Sequence, residues 1–128
     1  MRIGSSVLTS LRWIALAALL AACGGSGEPM DLGSCTALYQ AMPNLCTDYG
    51  NGYSASSAMT ECTSAGSTYS YSTSACTTTN RIGSCAVTHG DHAYTLRFYA
   101  PSNTVADARP RCEGYNSMSG YSAMFTAD

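Results

Sequence analysis

The 128-residue chain contains no lysine, and its six arginines and eight acids are its only charged residues, so it has no basic patch with which to neutralise phosphates. Nucleic acid is thereby excluded as a partner. Beyond the N-terminus, no segment lines Arg along the polar face of an amphipathic helix, as a membrane-surface helix requires. Aliphatic residues are almost as scarce. From Cys23 onward, 106 residues include only nine Leu, Ile, Val and Phe, too few for an ordinary apolar core. Catalytic signatures are missing as well: there is no G-x-S-x-G elbow, Walker loop, H-E-x-x-H or dinucleotide fingerprint. The expectation is a protein that is not an enzyme and takes no cofactor.

What the chain does have begins at its N-terminus. Arg2 and Arg12 precede an apolar run from Trp13 to Ala22 that ends in small side chains, the pattern of an export signal. Ten residues rise only about 15 Å as a helix, half the ~30 Å hydrocarbon core, so a spanning helix is the weaker reading. The run closes on Leu20-Ala21-Ala22-Cys23 and is followed by Gly24-Gly25-Ser26-Gly27. This tetrapeptide resembles the lipobox of bacterial lipoproteins at every position. The resemblance implies cleavage before Cys23, thioether lipidation of its sulfur and acylation of the new N-terminus, hence a membrane anchor. Gly24 in place of an Asp leans toward the outer membrane. Several acyl chains hold far better than one, at about 0.8 kcal/mol per buried methylene. The resulting division is a signal peptide over 1–22, a flexible tether over 23–32, and a folded part beyond.

Seven cysteines less one lipidated leave Cys35, Cys46, Cys62, Cys76, Cys85 and Cys112, an even set suited to three disulfides in an oxidising compartment. Each would close a loop of about 30 residues and contribute roughly 3–4 kcal/mol by chain entropy. With nine tyrosines available for packing, crosslinks and aromatic contacts replace the missing aliphatics. Structural zinc would want closely paired cysteines, and here the tightest spacings are nine and eleven residues.

A shift of 50 residues lays Gly33-Ser34-Cys35 on Gly83-Ser84-Cys85, Tyr49 on Tyr99, Ala58 on Ala108, Cys62 on Cys112, and Tyr71-Ser72 on Tyr121-Ser122 without a gap. We therefore expect an α+β, disulfide-stapled domain made of two β-β-α-β internal repeats, 33–82 and 83–128. The first strands are read over 35–40 and 45–49, with Met42-Pro43-Asn44 as the turn. Those of the second copy run over 85–88 and 93–99, with the turn at Gly90-Asp91. Ser54 and Thr104 cap helices over 55–65 and 105–113. Pro110 is expected to end or kink the second helix. Extended pieces over 67–73 and 120–125 complete the copies. If both copies share a fold, Cys35 pairs with Cys62 and Cys85 with Cys112, leaving Cys46 for Cys76. Symmetry equally permits Cys35–Cys85 with Cys62–Cys112. The first set is preferred because it ties each helix to its own first strand.

The one constellation with metal-binding character is His89-Gly90-Asp91-His92: two imidazoles flanking a carboxylate on a turn suit a divalent ion or a small ligand. The blander alternative is a Gly-Asp turn with solvated flanks. Tyr53, Tyr69, Tyr94 and Tyr115 do not recur at the 50-residue shift and are the better surface candidates. Beyond the lipobox the chain is similar to short Ser/Thr/Cys-rich exported bacterial proteins, a likeness that implies no activity. The functional expectation is a lipid-anchored cell-envelope protein of structural or binding role, with another envelope protein or a glycan as partner. The alternative is a metal or small-ligand binder using His89, Asp91 and His92.

Overall fold

The computed structural model describes residues 32–128. The lipobox cysteine Cys23, the signal segment 1–22 and the tether up to residue 31 lie outside them. Leu32, which the tether reading included, is packed against the first core cluster, and its carbonyl accepts a 2.9 Å hydrogen bond from the Tyr71 hydroxyl.

The architecture is α+β: a six-stranded antiparallel sheet with two helices and three disulfides. The elements in order are β1 (Ser34–Tyr39), β2 (Met42–Tyr49), α1 (Ala55–Ser64), β3 (Tyr69–Ser72), β4 (Arg81–His89), β5 (His92–Tyr99), α2 (Val105–Glu113), a 3₁₀ turn (Gly114–Ser117) and β6 (Tyr121–Ala127). Strands lie in the order β3-β1-β2-β5-β4-β6. The central seam pairs Leu45 with Phe98, Thr47 with Leu96 and Tyr49 with Tyr94, so the strand order and this register read alike from either edge.

Cross-strand partners point to the same face of a sheet. Cys35, Thr47, Leu96 and Cys85 form one such row across four strands. Disulfides tie Cys35 to Cys62 of α1 and Cys85 to Cys112 of α2, each spanning 27 residues, and both helices therefore sit on that face. Each helix rests on a fully buried alanine one turn before its cysteine, Ala58 or Ala108, whose small size lets the backbone approach the strands. Helices of ten and nine residues are marginal alone. Caps and staples hold these two. Ser54 and Ser57 form a reciprocal capping box, and the Thr104 side chain accepts from the Asp107 N–H.

The opposite face carries Cys46, Asp48, Ser84, Arg97 and Tyr99. Its centre is covered by the strandless segment 73–80, pinned by the Cys46–Cys76 disulfide and by the Tyr99 hydroxyl donating to the Thr77 carbonyl at 2.8 Å. Burial pushes the Tyr99 phenol up to about 12, with Asp48 adding to the shift and Arg81 and Arg97 opposing it.

The Gly-Ser-Cys tripeptides have a physical reason. A Cβ on Gly33 would lie 2.5 Å from the Tyr71 hydroxyl and the Ser72 carbonyl oxygen, and one on Gly83 would lie 2.6 Å from the Phe125 ring. Glycine is what allows β3 and β6 to close on β1 and β4. The serines are buried and bonded, Ser34 to the Ser74 carbonyl and Ser84 to Arg97.

Three expectations require correction. The first turn is Gln40-Ala41, both at positive φ (50° and 63°), and Met42-Pro43-Asn44 already belongs to β2. Positive φ at both central positions matches the right-handed twist of a two-residue hairpin even though glycine is absent. Pro110 does not end α2, which runs to Glu113. The bond lost is to the carbonyl of exposed Ala106, which water can satisfy. Third, the ungapped 50-residue match fails within β5. Ala37 pairs with Leu45 but Leu38 with Pro43, so Asn44 is an extra, bulged residue. Because side chains alternate, that one residue puts Tyr49 on the helix face and Tyr99 on the other. Phe98 stands two residues beyond the Leu96 that pairs with Cys85, as Tyr49 stands two beyond the Thr47 that pairs with Cys35.

Candidate functional site

The β4–β5 hairpin ends at His89 and His92, which pair directly across Gly90-Asp91, with Gly90 at φ +57°. Pairing places both imidazoles on the helix face. His89 stacks on Tyr121 of β6, centroids 4.0 Å apart and planes within 12°, and His92 meets the edge of Tyr53 at 4.9 Å. Tyr53 in turn packs on buried Tyr49 at 4.8 Å. Tyr115, on the 3₁₀ turn, contacts both Tyr121 at 5.9 Å and Tyr94 at 6.4 Å. Two chains of aromatic contacts thus converge on one end of the sheet.

Between them lies a cleft of about 320 Å³ lined by Tyr53, Glu61, His89, His92, Tyr94 and Tyr121. Glu61 comes from α1, one residue before Cys62, so the disulfide that fixes the helix also fixes where this carboxylate stands. Burial raises the Tyr53 phenol, and the Glu61 carboxylate raises it further. Tyr94 is raised more strongly, again by burial first and by Tyr115 second. Tyr49 behind them is pushed up to about 12 by burial and then by Glu61. All three phenols stay neutral and available as hydrogen-bond donors at physiological pH.

Of the residues singled out from sequence, Asp91 stays in the exposed turn and does not line the cleft. Among the described residues no three His, Cys, Asp or Glu side chains gather closely enough to hold a metal ion. The carboxylate that joins His89 and His92 is Glu61, from helix α1. Tyr53 and Tyr94 line the cleft, Tyr115 supports it, and Tyr69 sits on distant β3. Tyr121, which recurs at the 50-residue shift and packs against the second core, also lines the cleft. Glu61 had no linear signal; its place follows only from the helix register set by Cys62.

The other end of the sheet carries a counterpart of about 340 Å³ lined by Tyr39, Asn44, Ser102, Asn103 and Arg111. Arg111 precedes Cys112 as Glu61 precedes Cys62. Here the polar groups satisfy one another. Asn103 Nδ2 donates to the backbone and side-chain oxygens of bulged Asn44 at 2.7 and 2.8 Å, Arg111 donates to Asn103 Oδ1 at 2.8 Å, and its guanidinium lies 5.3 Å from the Phe98 ring centre.

Comparison with protein-family models, curated proteins and solved structures yields no match for this chain. Among the described residues no helix is long and apolar enough to cross a membrane.

Proposed function

We propose that the protein is a lipid-anchored component of the bacterial cell envelope, with a binding role and no catalytic activity, held by lipidated Cys23 and more consistent with the outer than the inner membrane. The observation that carries this reading is the cysteine balance. All six cysteines of the described residues are used in disulfides, which leaves the seventh, Cys23 of the Leu20-Ala21-Ala22-Cys23 sequence, for the anchor. Three staples in a domain of this size also fit an oxidising compartment. The test is metabolic labelling with a radiolabelled fatty acid. Wild type should incorporate label and sediment with membranes, and Cys23→Ser should do neither. Label in Cys23→Ser, or its absence from wild type, would overturn the reading.

In the same reading the fold is a tandem duplication of one β-β-α-β unit. The shared 27-residue disulfide span, the matching caps and the matching alanines support it. The ligand-binding alternative draws support from the cleft, where His89 and His92 stand without Asp91. Titration with zinc or nickel tests its metal form: heat lost when both histidines become alanine would favour it.

A further inference from the structure

The two stapled helices present opposite charges at matched places: the basic one is hydrogen-bonded within the protein, whereas the acidic one has the Tyr53 hydroxyl beside it but no ion-pair partner among the described residues. Arg111 is bonded to Asn103 and lies over Phe98. Glu61 takes part in none of the three ion pairs among the described residues, which are Arg81–Asp128, Arg97–Asp48 and Arg109–Glu113. Around Glu61 stand three tyrosines and two histidines, with no lysine or arginine lining the cleft. The lining rings attract a cation wherever a negative ring face is open, and the cleft holds a carboxylate but no lysine or arginine to answer an anion. A carboxylate at its rim adds a charge-assisted partner for an N–H or a Coulombic one for a quaternary nitrogen. The net negative charge of the chain favours the approach of cations over anions.

The geometry points to the Tyr53/Tyr94/Tyr121 cleft as a binding site for an organic ammonium ion, with Glu61 as its counter-charge and the tyrosine rings as its walls. A bare metal ion is a poor occupant, since the lining offers no converging ligand set. A primary amine on an aliphatic chain and a quaternary ammonium share the required chemistry, a positive nitrogen flanked by apolar carbon. The first gains more from the Glu61 carboxylate and the second more from the rings. The volume accommodates an ion of the size of choline or cadaverine, whichever source supplies it.

The experiment titrates the intact protein, in a polyoxyethylene detergent and with ¹³C-labelled tyrosine, separately with choline, cadaverine, N-acetylglucosamine and sodium chloride at matched ionic strength. Saturable shifts confined to a few tyrosines are expected with choline or cadaverine. Binding should weaken about tenfold or more in Glu61→Gln, the loss of one charge-assisted partner. It should survive in Tyr53→Phe, which keeps the ring, fall in Tyr53→Ala, and be unchanged in Glu113→Gln on the exposed side of α2. Equal shifts from sodium chloride, equal affinity in Glu61→Gln, or tighter saturation by the neutral sugar would overturn the inference. It rests on the binding role proposed above and not on the anchor. A lipidated protein that ignores both amines overturns only this inference, and an unlipidated one that binds them overturns only the anchor.

Discussion

Asp48 joins several elements of the fold through one buried carboxylate. Its residue is 4% solvent-accessible, and both carboxylate oxygens are used: Oδ1 accepts from the Cys76 N–H at 2.7 Å and Oδ2 from Arg97 Nε at 2.8 Å. Arg97 continues to the Ser84 hydroxyl at 2.8 Å. One carboxylate therefore joins β2, β5, β4 and the covering segment 73–80. Asp48→Asn keeps the shape and removes the charge. Its amide can present an oxygen to only one of the two donors and turns its own N–H₂ toward the other. Breaking a buried ion pair costs about 3–5 kcal/mol. The Arg97 side chain retains 20% of its exposure, so part of that cost is recovered in water and about 2–3 kcal/mol is expected. Against a typical domain stability of about 5–15 kcal/mol this is a large shift. Guanidinium denaturation of the disulfide-intact protein at neutral pH measures it, with the slope unchanged. A cycle with Arg97→Met should show coupling of about 1 kcal/mol or more, because each single substitution strands the other partner. A loss below about 0.5 kcal/mol, or strict additivity, would refute the claim that this pair joins β2, β5 and the covering segment 73–80.

Other outcomes follow from the same contacts. Replacing both Cys46 and Cys76 by alanine should cost roughly 3–4 kcal/mol on the chain-entropy account of a loop whose ends are 30 residues apart, and hydrogen exchange should show segment 73–80 opening first. The outward-facing edge of β6 is met at Ala123 by the Asn116 side chain, which accepts from its N–H at 2.7 Å and donates to its carbonyl at 3.0 Å. Asn116→Leu should free that edge and produce concentration-dependent self-association in sedimentation velocity; a strictly monomeric variant would contradict the role. Tyr49 and Tyr99 are raised in the folded state from 10 to about 12. Their stabilisation is complete below pH 10, where both states are protonated, and is lost as pH rises from about 10 toward 12, where the unfolded chain ionises first. Absorbance at about 295 nm should show at least three phenols, Tyr49, Tyr94 and Tyr99, titrating late, together with falling stability, and uniform ordinary titration would contradict their burial.

The order of elements was legible because the signals were local: a Gly-Asp turn between strand formers, Ser54 and Thr104 ahead of helices, glycines where strands close. The turn at Gln40-Ala41 was not, since neither residue advertises positive φ and the adjacent Pro43 does advertise a break. The register of β5 was hidden by a bulge at Asn44, whose only mark is a bond to Asn103, 59 residues away. The cleft was half legible. His89 and His92 are conspicuous in sequence and do line it, whereas their carboxylate comes from Glu61, brought in by a helix whose orientation depends on a disulfide. Tyr121 recurs at the 50-residue shift and, as a packing residue should, it packs against the second core, while it also lines the cleft.

The most direct test of the account is the intact mass of protein purified from bacterial membranes, recorded before and after reduction and alkylation. The account predicts a chain beginning at Cys23, heavier by a diacylglycerol and an acyl group, with six thiols reacting only after reduction. A chain without lipid, or one whose thiols alkylate without reduction, would contradict the anchor in the first case and the staples in the second.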